Sequence, residues 1–158
     1  MNNMKKLFFS IGVFILSLSL FSQELHINDG KVYVENQLYS GEKISYFENS
    51  TNIKEVKNYL NGLEHGKSSV YYKNGQLKEE RYWDAGQKIK IWINWNESGK
   101  IVAEAGYNAN KKHGNWNIWN DKGQKLFEMH YSHGSEIGIW RQWNDQGILL
   151  MEKDFNQN

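Results

Sequence analysis

The sequence predicts an all-β protein: a single elongated antiparallel meander of stacked β-hairpins, about ten strands long, preceded by a signal-peptide helix. Three observations carry this. Gly75, Gly99, Gly123 and Gly147 recur at steps of 24 residues, as do Glu80, Glu104, Glu128 and Glu152. Within each 24-residue unit, two apolar-aromatic stretches flank a glycine turn: Lys73-Asn74-Gly75, Glu97-Ser98-Gly99, Asp121-Lys122-Gly123 or Asp145-Gln146-Gly147. The composition agrees, with 15% aromatic residues, 14 glycines, no proline and no cysteine among 158 residues. Such a mixture suits short strands joined by tight turns.

Taken in order, residues 1–22 read as a signal peptide. Lys5 and Lys6 precede an apolar run over residues 7–21, and Ser22 precedes the polar Gln23 and Glu24. The run is short against the roughly 20 residues a membrane span needs, so cleavage near Ser22 is expected, with export to the periplasm or beyond. Cleavage removes two lysines, leaving 19 − 2 = 17 basic against 18 acidic residues, so the formal charge goes from +1 to −1. Residues 23–40 predict an N-terminal hairpin cap, because residues 26–28 and 31–35 flank Asp29-Gly30, a two-residue turn signature.

Residues 41–158 form the repeat domain, in units of approximately 41–61, 62–85, 86–109, 110–133 and 134–158. The first is worn: Gly41, Tyr46 and Ile53 keep the order, with the register slipped by one near residues 49–52. Three aromatic columns run through the units. One is Tyr59, Trp83, Tyr107, Tyr131 and Phe155; another is Trp92, Trp116 and Trp140, with Ser68 in its earliest place; the third is Tyr71, Trp95, Trp119 and Trp143. Gly66, Gly114 and Gly138 share a position with Lys90; Gly62, Gly86 and Gly134 share one with Asn110. A single unit cannot bury its own apolar face, so neighbouring copies must stabilise it.

Strand alternation assigns the faces. In the second strand of a unit, Lys125, Phe127, Met129 and Tyr131 should share one face, as should Ile101, Ala103, Ala105 and Tyr107, and Leu149, Met151, Lys153 and Phe155. Trp116 and Trp119 have opposite parity and should point to opposite faces. One tryptophan column is therefore expected to pack along the sheet, at ring separations of about 4.5–7 Å. The other is expected to meet a partner. The candidate binding residues are Trp92, Trp95, Trp116, Trp119, Trp140, Trp143 and Tyr71, and Gly75, Gly99, Gly123 and Gly147 are structural turns.

The copies read as Gly-x-x-x-Gly-x-Trp-x-x-Trp-x-x-x-Gly-x-Leu-x-x-Glu-x-x-Tyr. The last supplies Gly134, Gly138, Trp140, Trp143, Gly147, Leu149 and Glu152; the one before supplies Gly114, Trp116, Trp119, Gly123, Glu128 and Tyr131. This pattern resembles the bacterial variant of the MORN repeat found in the YwqK-like antitoxin family. The resemblance implies stacked hairpins, interaction with protein or lipid, and, from the antitoxin label, neutralisation of a toxin partner. Lys90, Asn110 and Ser68 depart from the pattern.

Chemistry is not indicated. The glutamate column would place its members about 10 Å apart, a spacing the repeat alone explains. Each Glu is expected to pair with a Lys, an indole N–H or a turn amide. His65 and His113 should lie too far apart to share a metal. His130 and His133 could approach each other, but no cysteine or helical His-x-x-x-His pair supports a site. No nucleophile elbow, phosphate loop or dinucleotide fingerprint occurs. Basic residues are scattered among acids, which argues against nucleic acid. The expectation is an exported, non-enzymatic repeat scaffold with a protein partner and no cofactor. A toxin-neutralising immunity protein, and an envelope glycan or membrane-surface binder, are the alternatives.

Overall fold

The computed structural model of the chain describes residues 24–156. The signal-peptide helix expected over residues 1–22 lies outside them. The described residues are all-β. A small sheet holds β1 (Leu25–Asn28), β2 (Lys31–Val34) and β3 (Gln37–Leu38). The large sheet begins with β4 (Gly41–Tyr46), β5 (Ile53–Leu60), β6 (Leu63–Glu64) and β7 (Gly66–Tyr71). It continues with β8 (Leu77–Asp84), β9 (Gln87–Trp95), β10 (Ile101–Asn108) and β11 (Lys111–Trp119). It ends with β12 (Lys125–Ser132), β13 (Ser135–Trp143) and β14 (Leu149–Asp154). Its 11 strands form an antiparallel meander, in which β6 pairs with β5 beside β7. The sheet does not close, and β4 and β14 are its edges.

Two turn chemistries alternate along it. At one rim the turns have positive φ at two successive residues: Asn61-Gly62, Ala85-Gly86, Ala109-Asn110 and His133-Gly134. These are the two-residue turns whose twist matches that of paired strands. Their second residue also ties adjacent units together. Gly86, Asn110 and Gly134 donate their N–H groups to the carbonyls of Glu64, Lys88 and Lys112 at 2.8, 3.1 and 2.8 Å. Asn110 adds a bond of its own, its Oδ1 accepting from the Lys88 N–H at 2.8 Å. That bond accounts for asparagine where the other units carry glycine.

At the opposite rim the turns end in Gly75, Gly99, Gly123 and Gly147, with φ of 86, 76, 87 and 77°. Each glycine donates back three residues, to Tyr72, Asn96, Asn120 or Asn144 at 2.9 Å. Asn96, Asn120 and Asn144 reinforce these turns: each Oδ1 accepts the backbone N–H groups two and four residues on. The worn unit has a longer turn, closed by Phe47 N–H to Asn52 O at 3.0 Å, which is the one-residue slip visible in the sequence.

Every second strand carries a bulge just after this turn. Leu77 pairs with Tyr71 but Glu79 with Val70, which leaves Lys78 unpaired. The same shift leaves Lys54, Val102, Leu126 and Leu150 unpaired. A bulge changes the alternation of the strand that holds it. The odd-position face assignment is therefore corrected at its first member. Ile101, Lys125 and Leu149 stand opposite Trp95, Trp119 and Trp143, not on the face of Ala103, Phe127 and Met151.

The N-terminal cap gains a third strand beyond the expected hairpin. It joins the large sheet through Val32 N–H to Gly62 O at 2.8 Å and Gly62 N–H to Tyr39 O at 2.7 Å. The core is thin. Among the described residues only Val32 and Tyr131 are buried large apolar side chains.

Candidate functional site

The two tryptophan columns have different surroundings. Trp92, Trp116 and Trp140 interleave with the Trp83, Tyr107, Tyr131 and Phe155 column to form one continuous ring ladder. Successive centroids from Trp83 to Phe155 lie 4.8, 5.0, 5.2, 5.4, 4.9 and 4.7 Å apart, tilted or edge-on. Each tryptophan of the column also donates its indole N–H to the carbonyl ten residues earlier: Tyr82, Gly106 and His130, at 3.1, 2.8 and 3.1 Å. Lys88 caps Trp92 and Tyr107, and Lys112 caps Trp116 and Tyr131. Burial in this ladder holds the Tyr107 hydroxyl above its ordinary pKa, against Lys112 and Arg81, which act to lower it. Ring faces engaged in this way are not a platform for a flat ligand. This column is the structural one.

The other column lies on the opposite face, as parity requires. Trp95, Trp119 and Trp143 follow Ile93, Asn117 and Arg141 by two residues on regular stretches of strand, and those three pair with the glutamate column. Cross-strand pairs complete a stripe: Tyr46 with Ile53, Tyr71 with Leu77, Trp95 with Ile101, Trp119 with Lys125, and Trp143 with Leu149. No two aromatic rings of the stripe stack among the described residues, and the only cation over one of its tryptophans is Lys125, 5.8 Å from the Trp119 ring. Tyr46, Ile53, Ile101 and Leu149 are exposed, and the tryptophans are half-buried. At one end, Thr51, Asn52, Ile53, Tyr71 and Gly75 line an open pocket of about 360 Å³. The stripe crosses ten strands, so at about 4.8 Å for each of nine spacings it is about 43 Å long.

Beside the stripe runs a second row: Ile44, Val56, Ser69, Glu80, Ile93, Glu104, Asn117, Glu128, Arg141 and Glu152. Glu80 takes Lys67 at 3.5 Å and the Tyr82 hydroxyl at 3.0 Å, a bond that keeps that phenol protonated above its ordinary pKa. Glu128 takes Lys125 at 3.1 Å and Arg141 at 3.4 Å, and the hydrogen bond from Lys125 leads in holding its carboxyl below the ordinary value. Arg141 reaches Glu152 as well, at 2.8 Å. Glu104 meets the Asn117 amide at 3.5 Å.

The histidines take separate partners. His133 meets the ring of His113 at 4.9 Å, within one unit, while His130 bonds Asn115 at 2.9 Å. His65 plays the part of His113 in its own unit, reaching Asp84 at 3.3 Å. Among the described residues, no group of three His, Asp or Glu could hold a metal ion.

Two features escaped sequence reasoning. The asparagine column carries the turns and spans units, with Asn96 and Asn120 donating to Asp121 and Asp145 at 3.1 Å. Its own 24-residue step could have revealed it. The bulge, which adds Ile101, Lys125 and Leu149 to the stripe, leaves no such mark. Fold and surface together define a β-hairpin repeat protein with one engaged and one open aromatic face. No protein-family model matches the chain, and no curated protein matches it.

Proposed function

We propose that this chain is a non-enzymatic interaction scaffold of the MORN-variant type, exported, that binds a protein partner through the stripe of Tyr71, Trp95, Trp119 and Trp143. The observation that carries the reading is the contrast between the columns. One is engaged ring to ring by the fold; the other repeats at two-strand steps and has no aromatic neighbour among the described residues. Rigid aromatics in a row supply binding area at small entropic cost and are typical anchors of protein interfaces. An apolar stripe bordered by polar residues is the expected form of such a surface.

The test is crosslinking capture from cell envelopes, with the mature chain and a Trp95→Ala/Trp119→Ala variant as bait. A stoichiometric protein partner recovered with the parent and lost with the folded variant supports the reading. A single toxic partner would sharpen it to neutralisation. Equal capture by both baits would overturn the assignment of the stripe.

A further inference from the structure

The stripe is apolar apart from Lys125, while the row beside it carries four glutamates and Arg141, and these charges are unevenly satisfied. Arg141 sits between Glu128 and Glu152 and bonds both. One and two units earlier the same place is held by Asn117 and Ile93. Glu80 is served from the side by Lys67, and Glu128 also by Lys125. Glu104 alone has no such service. Among the described residues, no cation pairs with its carboxylate, which is half-buried and meets only the amide of Asn117. Glu104 lies near the middle of the sheet, and its strand neighbour Ile93 is two residues from Trp95, a step of about 7 Å along a strand.

We propose that the open face docks a protein segment that is both apolar and basic. Its apolar side chains lie on Trp95, Ile101 and Trp119, and a lysine or arginine pairs with Glu104 as Arg141 pairs with Glu128 and Glu152. The proposal rests on the scaffold reading and adds the chemistry of the partner. Charge complementarity selects this occupant. The four glutamates of the row are met by three cations, Lys67, Lys125 and Arg141, which leaves the charge of Glu104 uncompensated among the described residues, so an acidic side chain placed beside it meets repulsion where a basic one is attracted. An incoming cation would complete the alternation of acid and base that β12, β13 and β14 already show. Pairing at a half-buried carboxylate beside apolar surface is stronger than at an open one.

The probes are short synthetic peptides that alternate leucine with lysine, leucine with glutamate, or serine with lysine. Each is titrated into the mature chain, with binding read by calorimetry. The leucine–lysine peptide should bind, and the other two should bind at least about tenfold more weakly. Glu104→Gln should weaken the leucine–lysine peptide about tenfold, whereas Glu80→Gln, already paired by Lys67, should change it less than about twofold. Glu104→Arg should reverse the preference toward the leucine–glutamate peptide, a gain that loss of folding cannot imitate. Equal binding of both leucine peptides, no effect of either Glu104 substitution, or stripe-dependent binding to phosphatidylglycerol vesicles would overturn the proposal. If the envelope partner still requires the stripe while the Glu104 variants behave as parent, only this inference falls and the scaffold reading stands.

Discussion

Trp116→Ala should cost far more stability than Trp119→Ala, though the two residues lie three positions apart on one strand. Trp116 stacks on Tyr107 at 5.2 Å and on Tyr131 at 5.4 Å, contacts worth about 1 kcal/mol each. Its indole N–H bond to Gly106 O, at 2.8 Å, adds about 1 kcal/mol. Lys112, 4.5 Å from its ring, adds roughly 0.5 kcal/mol. The sum is about 3.5 kcal/mol for a residue that is itself half-buried. Among the described residues Trp119 has no ring partner and a single distant cation at 5.8 Å. Its truncation should cost about 1 kcal/mol, the scale of one cross-strand pair. Urea unfolding followed by far-UV circular dichroism measures both. The slope against urea must stay constant and a second probe must give the same transition, because repeat arrays can unfold in parts. Equal losses for the two variants would refute the division into a structural and a binding column.

Other outcomes follow from single residues. Asn120→Ala removes two accepted backbone N–H bonds and the links to Gln124 and Asp145, so it should lower stability by about 1–2 kcal/mol in the same urea assay. Lys90 holds φ at 59° where three other units have glycine, so Lys90→Gly should raise stability by about 0.5 kcal/mol. That is the left-handed strain released, less the added freedom of the unfolded chain and the contact of Lys90 with Tyr82. A fall in melting temperature would contradict it. The Glu128 carboxyl is held below its ordinary value of 4.5, chiefly by Lys125. A depressed carboxyl pKa stabilises the fold above the unfolded value, and that stability is lost as pH falls through the folded one. Stability should therefore drop below about pH 4.5, and Glu128→Gln should flatten that limb in melts run from neutral to acid pH.

Architecture was legible because it is periodic. Glycine at a turn and aromatics at fixed offsets leave marks in the sequence, so the meander, its turns and the opposed facing of Trp116 and Trp119 could all be read. The structural role of the Trp92 column rests on Tyr107 and Tyr131, which interleave with it. Two columns at separate offsets do not reveal that they stand on neighbouring strands of one face. The bulge was hidden for another reason. It inserts a residue without breaking the 24-residue step, so alternation counted along the sequence assigns Ile101, Lys125 and Leu149 to the wrong face. Pairings along the glutamate row depended on long side chains reaching across strands. Only the structure shows that Arg141 serves two glutamates while Glu104 meets an amide.

The place where the ladder stops shows what each rung contributes. Ser68 occupies the position of Trp92, Trp116 and Trp140, and ring stacking on this face resumes only at Trp83. On the other side of the break, Tyr39 and Tyr59 form a separate pair at 5.9 Å. Both groups at the break are buried without a hydrogen-bond partner among the described residues: the Ser68 hydroxyl, on a residue only 3% exposed, and the Trp83 indole N–H. A buried hydroxyl without a partner keeps its desolvation cost and returns nothing, a penalty of about 1–3 kcal/mol. Ser68→Ala removes that hydroxyl and leaves the backbone pairing to Arg81 intact. It should therefore raise stability by about 1 kcal/mol, against the usual direction for truncating a buried residue. The measurement is the same urea titration, with Ser69→Ala as a buried neighbour on the opposite face. A loss of more than about 0.5 kcal/mol from Ser68→Ala would mean that the hydroxyl is satisfied after all. The ladder would then be interrupted by a polar contact rather than by a missing ring.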